Sequence, residues 1–385
     1  MTTLARDVFV VDAVRTAVGR RGGKLSAIHP NELLAVPLSA LFARTGVDPA
    51  SVGQVVGGCV GQIGAQASNV TRQAWLTAGL PLEVPASTVN VQCGSSQQAT
   101  TTAHAMVASG MVESAVACGV ECMSAIPLGA NIPTSPSLGK PREGRYAELY
   151  QPTTQFDGAD RIAATWQIDR SELDEFGARS QALAARAWAA GRFDGQVVPV
   201  LDGITGPDEG LRETSAAVLG GLKPVRAAEP DGVHTAGTAS QVSDGAAALL
   251  LMSAAEVERT GAAPVARLVD SVTVGSDPVL MLTGPIPATW ALLERASLTI
   301  DDVDVFEVNE AFASVVLAWQ RELKPDPDRV NPNGGAIALG HPLGATGAIL
   351  LTKAVHELAR TGGDRALVTM CCGGGLGTGT LLERI

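Results

Sequence analysis

Short β-branched runs alternate with helix-like apolar spacing through the first third of the chain. Val8–Val14 is typical of a buried strand, and Asn31–Thr45 predicts a helix that ends at Gly46. The alternation continues and predicts strands at Gln54–Cys59, Ser87–Gln92 and Ser114–Cys118 and helices at Ala67–Ala78 and Gly94–Ser109. This order of elements predicts an α/β fold.

The pattern changes at about residues 120–245, where Pro-rich and Gly-rich segments surround one helical stretch, Ser171–Ala190. We interpret this region as an inserted loop domain. The core pattern resumes near Ala246 and predicts strands at Pro264–Val274, Val303–Val308 and Ala366–Met370 and helices at Glu310–Leu323 and Ala345–Arg360. The second series parallels the first, although periodicity alone leaves duplication and ordinary α/β alternation equally open.

The length, charge and cysteine spacing of the chain limit the classes of function that it can have. A chain of 385 residues exceeds the usual size of one hydrophobic core. The formal charge of -11 disfavours broad binding to nucleic acid or anionic membrane, so an anionic ligand needs a local basic patch. The six cysteines have neither metal-ligand nor secreted-framework spacing, and the N-terminal apolar run is too short for a signal peptide. These features predict a cytoplasmic protein without a bound metal.

Two loops carry candidate chemistry. In Asn90–Ala99 (NVQCGSSQQA), Cys93 stands between a strand and a helix, where the helix dipole and free N–H groups favour a thiolate and can hold an oxyanion. A lone cysteine is more often a small buried hydrophobe. In Gly334–Gly347 (GGAIALGHPLGATG), His341 is fixed by a rigid Gly/Pro turn, a setting in which catalytic and structural roles are equally common.

Two further segments lie at predicted strand ends. Met370–Gly377 (MCCGGGLG) runs from a strand into glycines that let backbone amides approach a ligand, and it matches neither a P-loop nor a dinucleotide fingerprint. Asn309–Ala313 (NEAFA) offers an amide that orients a water or carbonyl, with an ordinary helix N-cap as the alternative.

Together these four segments resemble the thiolase family, whose catalytic residues follow the same order along the chain. The resemblance covers nearly the whole sequence and includes Val10–Thr16, Ala236–Ser240 and Asp244–Ala247. It implies two duplicated α/β halves in a layered αβαβα core, with residues 1–262 and 263–385 as the halves and the loop domain over the active site.

The resemblance also implies residue roles. Cys93 is expected to carry the acyl group, His341 to activate Cys93, and Cys371 to transfer protons to and from the substrate. His341 and a water held by Asn309 are expected to stabilise an enolate. The N–H groups of Cys93 and Gly373 are expected to form a second oxyanion hole.

Coenzyme A and acetyl-CoA are then substrates, and no permanently bound cofactor is expected. Ser240 is expected to contact the pantetheine arm and Lys223 to lie near the nucleotide phosphates, with Arg212 and Arg226 adding local charge. The alternative for these basic residues is a solvated loop surface. Thiolases are dimers or tetramers, so we expect a homo-oligomer.

Two departures bear on the substrate. The segment Gln155–Asp160 does not keep the Met-Gly-x-Thr-Ala-Glu pattern of short-chain thiolases, and the nucleophile motif reads Cys-Gly-Ser-Ser, as in degradative thiolases. We therefore favour a degradative 3-ketoacyl-CoA thiolase of β-oxidation type over a biosynthetic acetoacetyl-CoA thiolase. The other classes are a ketoacyl synthase, a non-catalytic acyl-CoA-binding or lipid-binding relative, and an NAD-dependent oxidoreductase.

Overall fold

A computed structural model describes residues 6–132, 135–200 and 203–385. Its ten strands are β1 (Val8–Arg15), β2 (Gly19–Arg20), β3 (Gln54–Gly58), β4 (Ala86–Val89), β5 (Ser114–Cys122), β6 (Ser243–Ser253), β7 (Ala266–Gly275), β8 (Val305–Val308), β9 (Arg365–Cys372) and β10 (Leu376–Arg384). Its α-helices are α1 (Pro30–Thr45), α2 (Val70–Thr77), α3 (Ser95–Ala108), α4 (Arg145–Leu149), α5 (Gln155–Thr165), α6 (Arg170–Ala189), α7 (Ala216–Gly220), α8 (Ala254–Thr260), α9 (Pro285–Ala296), α10 (Ala313–Leu323), α11 (Ala336–Leu339) and α12 (Thr346–Thr361).

The strand order repeats within one sheet. In the first half of the chain β1 pairs antiparallel with β6, β6 antiparallel with β5, and β5 parallel with β3. In the second half β7 pairs antiparallel with β10, β10 antiparallel with β9, and β9 parallel with β8. The two sets join where β1 meets β7 over Val8–Val10. This repeat confirms the duplicated α/β fold that the resemblance implied.

Helices cover both faces of each half and produce five layers. Helices α1 and α2 pack on the outer face of the first set of strands, and α9 and α10 pack on the outer face of the second. Helices α3 and α12 contact each other and strands of both sets, so they form the central layer. Each helix is apolar on the side that faces the sheet, and burial of that side stabilises the αβαβα arrangement.

Four of the six predicted helices, namely α1, α3, α6 and α12, begin within one residue of the predicted start, whereas α2 and α10 begin three residues later. The predicted helix Glu310–Leu323 is wrong at its beginning, because α10 begins at Ala313 and the preceding residues form an irregular buried segment. That segment is held by pairing of Phe312 with Ala239 and by Glu310, whose carboxylate accepts the N–H of Ile337. Asn309 is therefore not a helix N-cap.

Strand β10 was not predicted, because its alternating glycines are typical of a loop. A side chain on Gly377 would approach the carbonyl oxygen of Gly284 to 2.3 Å, and one on Gly379 would approach Leu292 to 2.8 Å. Both glycines allow α9 to lie directly on this strand. The glycines therefore serve close packing.

The region of about residues 120–245 contains α4, α5, α6 and α7 joined by long loops. Of the Pro-rich and Gly-rich segments predicted there, residues 133–134 and 202 lie outside the described part of the chain. No helix in the described ranges is long and apolar enough to cross a membrane. Nor does any group of three or more His, Cys, Asp or Glu side chains among these residues form a metal-binding cluster.

Candidate active site

The candidate nucleophile stands on a strained turn between β4 and α3. Gln92 has a φ of 51°, in the left-handed region that a non-glycine residue rarely adopts. The hydroxyl of Ser95 stabilises the turn, since it donates to the Gln92 carbonyl at 2.6 Å and accepts the N–H of Val91 at 3.0 Å. Such strain is frequent at functional sites, and here it places Cys93 just before the N-terminus of α3.

The thiol of Cys93 is buried but is surrounded by backbone donors. Burial raises the pKa of Cys93 to about 11, and hydrogen bonds from the N–H groups of Gly373 and of Cys93 itself oppose that rise. The resting form is therefore a neutral thiol. The predicted effect of the helix N-terminus is present as these two donors, yet burial outweighs it, so a base must remove the proton.

A second thiol lies beside the first. Burial raises the pKa of Cys371 well above its ordinary value, and Cys93 and Cys372 are close enough to raise it further when charged. The sulfur of Cys372 faces the Met370 carbonyl at 3.8 Å. A side chain on Gly94 would approach that sulfur to 2.5 Å, so Cys372 packs under the nucleophile turn.

The imidazole of His341 is held in one tautomer. Its Nδ1 lies 2.6 Å from the hydroxyl oxygen of Thr346, and that hydroxyl donates its own proton to the Pro342 carbonyl at 2.8 Å. The Thr346 oxygen therefore accepts from Nδ1–H, which leaves Nε2 as the basic nitrogen. Burial lowers the pKa of His341 to about 4, so the ring is neutral near pH 7.

The amide of Asn309 shares this corner with the imidazole. Its Nδ2 lies 3.3 Å from His341 Nε2, and its Oδ1 is buried with no hydrogen-bond partner among the described residues. A buried amide oxygen without a partner costs free energy, so a substrate or water that donates to it is favoured here. The backbone N–H of Asn309 donates to the Thr369 carbonyl at 3.0 Å, which fixes the residue beside β9.

Helices α3 and α12 hold the two halves of the site together. The N–H of Ala348 donates to Ser96 Oγ at 2.9 Å, and a side chain on Gly347 would approach the backbone nitrogen of Gln97 to 2.4 Å. The Gln97 amide reaches the other half of the sheet, since it donates to the Val368 carbonyl at 2.9 Å. The loops that carry Cys93 and His341 are therefore anchored to each other.

A cavity of about 840 Å³ opens at this place. Gln92 and Gly373 line it next to the nucleophile, and Leu343 lines it from the His341 loop. The remaining walls come from the loop region, chiefly from residues 126–132, 138–142, 146 and 154–156. A concave, largely apolar site with a few polar groups is typical of a small-molecule pocket.

The predicted coenzyme A contacts lie outside the lining of this cavity. The N–H of Ser240 donates to the Ala311 carbonyl at 2.9 Å, which places Ser240 beside the Asn309 segment. Lys223 is exposed and follows Leu222, which packs near Gly237 of the Ser240 segment. Lys223 therefore lies on the Ser240 side and away from the thiols.

The two arginines suggested by the sequence differ in their surroundings. Arg212 is exposed, and its guanidinium donates to the Ala236 carbonyl at 3.3 Å. Arg226 forms ion pairs with Asp160 at 2.8 Å and with Asp157 at 3.0 Å. Its charge is already balanced within the protein, so it contributes little to a free basic patch.

Three residues that matter for the geometry carried no signal in the sequence. Thr346 sets the imidazole tautomer, and Gln97 connects the halves. Glu121 accepts the N–H groups of Val60 and Gly344, both at 2.9 Å, and so joins the cavity wall to the loop of His341. Thr and Gln are ordinary helix residues, and nothing in their spacing indicates contacts to distant segments.

A thiol that needs a base, two backbone N–H groups beside its sulfur, and a neutral imidazole whose Nε2 is unprotonated can together support formation of a thioester. Such a site on an α/β frame defines the class of thiol-dependent acyltransferases.

The comparisons with known proteins specify the family. Residues 8–255 match the family model for the thiolase N-terminal domain, and residues 262–384 match that for the C-terminal domain. The chain is 46% identical over 390 residues to the steroid 3-ketoacyl-CoA thiolase FadA6 of Mycobacterium tuberculosis, covering 98% of this chain and 94% of that protein. It is 43% identical over 403 residues to the beta-ketoadipyl-CoA thiolase of Pseudomonas aeruginosa, covering 99% and 100% respectively.

Comparison with solved structures supports the same family. The acetyl-CoA acetyltransferase of Bacillus anthracis superposes with a TM-score of 0.91 at 35% identity, and the human mitochondrial 3-ketoacyl-CoA thiolase with a TM-score of 0.90 at 35% identity. Both comparisons cover 100% of each chain. The chain belongs to the thiolase family and is an acyltransferase that acts on CoA thioesters.

Proposed function

We propose that the chain catalyses thiolytic cleavage of 3-ketoacyl-CoA, with Cys93 as the nucleophile. The observation that carries this proposal is that the N–H groups of Cys93 and Gly373 lie close enough to the Cys93 sulfur to lower its pKa against the effect of burial. An acyl group on that sulfur would have its carbonyl oxygen next to the same donors. Removing one such donor from an oxyanion hole costs on the order of 3 kcal/mol in kcat.

In the first step His341 Nε2 takes the Cys93 proton, and the thiolate attacks the 3-keto carbon. The bond between carbons 2 and 3 then breaks, and its electron pair forms the enolate of acetyl-CoA. Protonation of carbon 2 by Cys371 releases acetyl-CoA and leaves an acyl group on Cys93. The enolate oxygen is stabilised by hydrogen bonds at Asn309 and His341, where Asn309 holds a water.

In the second step Cys371, now a thiolate, takes the proton of incoming CoA. The CoA sulfur attacks the acyl carbonyl, and Cys93 leaves as a thiolate that regains its proton from His341. All protons return to their starting groups, so the cycle is balanced. Ser240 contacts the pantetheine arm and Lys223 lies near the nucleotide phosphates in this proposal, supported by their common location beside the Ala236–Ser240 segment.

The degradative direction with a longer acyl chain is supported by the cavity and by the relatives. The cavity of about 840 Å³ lies within the usual range of small-molecule pockets, and it has room for an acyl chain longer than acetoacetyl. The similar proteins named for their substrates act on steroid 3-ketoacyl-CoA and beta-ketoadipyl-CoA. A biosynthetic acetoacetyl-CoA thiolase remains the second candidate, favoured by the likeness to the Bacillus anthracis acetyl-CoA acetyltransferase.

The test is CoA-dependent thiolysis of a series of 3-ketoacyl-CoA esters from acetoacetyl upward, with wild type and Cys93→Ala. We expect the wild type to cleave esters longer than acetoacetyl most efficiently. Cys93→Ala should lose activity on every ester by on the order of 10⁵-fold, as for removal of other enzymatic nucleophiles. Cys372→Ala is the matched control and should retain most activity. Residual turnover of Cys93→Ala near the wild-type rate would refute the proposal.

We further propose two domains, residues 1–262 and 263–385, in a cytoplasmic homodimer or homotetramer. The domain boundary is supported by the strand repeat and by the limits of the two family models. Strand β4 lies at the sheet edge, pairs only with β3 in the described chain and is half-buried, which supports an interface next to Cys93. The six free cysteines suit a reducing compartment. Sedimentation that showed an active monomer would contradict the oligomer.

A further inference from the structure

The cavity beside Cys93 has an unusual balance of charge. Most of its walls are apolar, and its described lining includes two cationic side chains, Lys140 and Arg142, and one acidic side chain, Glu121. A 3-ketoacyl chain that was purely hydrocarbon would form no favourable polar contact with the two cations. The cavity is therefore electrostatically positive if neighbouring groups of the protein do not neutralise Lys140 and Arg142.

The single carboxylate is fully engaged by the protein. One oxygen of Glu121 accepts the N–H of Gly61 at 2.9 Å and the Gln66 side chain at 2.8 Å. The other accepts the N–H groups of Val60 and Gly344, both at 2.9 Å. With four donors on its two oxygens, Glu121 fixes the cavity wall and has no free lone pair with which to draw a cation away.

Arg142 lies at the exposed rim of the cavity, and within the described part of the chain its guanidinium forms one hydrogen bond. Its Nη1 donates to the Thr153 carbonyl at 2.9 Å, and the Thr153 hydroxyl donates to the Val279 carbonyl at 3.1 Å, close to the cavity residue Met281. No carboxylate in the described ranges lies within 4.0 Å of it. The anchored group therefore keeps further N–H donors for a ligand. Lys140 is less available, because it lies 3.9 Å from Glu143.

We propose that the acyl chain of the preferred substrate ends in an anionic group, a carboxylate, which Arg142 binds and Lys140 attracts. The guanidinium fork matches a carboxylate in shape, and such charge-assisted hydrogen bonds are stronger than neutral ones. Apolar walls receive the methylene part of the chain, and the cations receive its end. This inference rests on the proposed thiolase function and adds the substrate class to it.

The test compares two esters of equal chain length, 3-ketoadipyl-CoA with a terminal carboxylate and 3-ketohexanoyl-CoA with a terminal methyl group. Wild type should cleave the adipyl ester with the higher kcat/KM. Arg142→Gln should lower kcat/KM for the adipyl ester roughly ten- to a hundredfold, the usual worth of a hydrogen bond to a charged group. The hexanoyl ester should change little.

Three further variants sharpen the result. Arg142→Lys keeps the charge without the fork and should recover part of the preference, and Lys140→Gln should reduce it less than Arg142→Gln. Arg145→Gln is the matched control, since Arg145 is exposed like Arg142 but is paired with Glu148 at 2.9 Å and does not line the cavity. Equal losses on both esters in Arg142→Gln would show that Arg142 binds the CoA phosphates, and would overturn the inference.

A binding measurement separates this inference from the function on which it rests. All proteins in this measurement carry Cys93→Ala, because an intact Cys93 would accept the acyl group of an acyl-CoA. Adipyl-CoA and hexanoyl-CoA lack the 3-keto group and cannot react with such a protein, so their dissociation constants report the contact alone. Tighter binding of adipyl-CoA that is lost when Arg142→Gln is added supports the anion site even when no ester is cleaved by the wild type. Equal binding of both compounds with Arg142 intact overturns the substrate class, whatever the thiolysis assay shows.

Discussion

Strands β5 and β9 have equivalent positions in the two halves, yet they end in different chemistry. Each lies between a parallel neighbour and an antiparallel neighbour. Strand β5 ends near Glu121, whose oxygens are saturated by four donors. Strand β9 ends with Cys371 and Cys372, and Cys371 lies close enough to Cys93 for a charge on Cys93 to raise the pKa of Cys371. The first half uses its strand end to hold loops in place, whereas in our proposal the second supplies a proton donor.

The loops before the central helices show the same division. The loop before α3 carries a thiol beside two backbone donors, and the loop before α12 carries an imidazole whose Nε2 is unprotonated and lies 3.3 Å from the Asn309 amide nitrogen. Duplication therefore provides two equivalent helix starts close together, and different side chains give them complementary tasks. The fold sets the positions, and residue identity decides which position performs chemistry.

Apart from removal of the nucleophile, the largest effect should come from removing the base in the second half. His341→Asn keeps a polar side chain but cannot accept the Cys93 proton, so kcat/KM for thiolysis should fall roughly a hundred- to ten-thousandfold. Steady-state kinetics measures the loss, and circular dichroism checks that the fold is kept. Retention of kcat/KM within threefold of wild type would remove His341 from the mechanism.

The comparison also predicts how Cys93 responds to pH in the absence of substrate. Because burial raises its pKa to about 11, the reactive thiolate fraction should rise about tenfold for each pH unit from pH 7 to pH 9. Iodoacetamide labelling of the Cys93 peptide, followed by mass spectrometry, measures this rise. A free cysteine peptide, whose pKa is about 8.5, is the control and should level off. Levelling off of Cys93 below pH 8 would reveal a resting thiolate.

A smaller effect is expected from the group that fixes the imidazole. Thr346→Val removes the acceptor for His341 Nδ1–H and should lower kcat roughly ten- to a hundredfold, as loss of an orienting partner does elsewhere. Thr346→Ser keeps the hydroxyl and should restore most of the rate. The pH profile of kcat should shift in the valine variant and return in the serine variant. Identical pH profiles in all three proteins would indicate that Thr346 contributes only to packing.

The smallest effect on turnover is expected from a change at Glu121, near the end of strand β5. Glu121→Gln replaces one acceptor oxygen with a donor that faces N–H groups, and each donor left without a partner costs about 1–3 kcal/mol. Chemical denaturation should show a lower midpoint, while kcat/KM of the folded enzyme falls less than in His341→Asn. Glu143→Gln, at an exposed site, is the control and should leave the midpoint unchanged. A larger loss of turnover than in His341→Asn would place Glu121 in the chemistry.

Much of the frame could be predicted from the sequence because buried strands and helices have distinct periods. Strand β3 and helix α6 were predicted to within one residue at each end, because each combines a clear apolar pattern with a clear stop. Strand β10 was missed, since its glycines are present for the close approach of α9. Such packing depends on residues far away in the sequence, and no local pattern reports it.

The residues of the candidate site likewise fall into two groups, those that the sequence indicates and those that only the structure reveals. Cys93 and His341 stand in unusual Gly-rich or Pro-rich turns, so the sequence signals them directly. Thr346 lies in the same Gly/Pro-rich segment as His341, but nothing in the sequence indicates its contact with the imidazole, and the importance of Arg142 depends on a cavity wall that exists only in the folded chain. Residues that act through distant contacts require the structure.

The most direct test of the account is the identity of the residue that carries the acyl group. Wild-type protein is incubated briefly with acetyl-CoA, quenched in acid, digested and analysed by mass spectrometry. We predict one acetyl group on the peptide that contains Cys93, and none on that peptide in Cys93→Ala. An acetyl group on Cys371 with Cys93 unmodified would contradict the assignment of the two thiols.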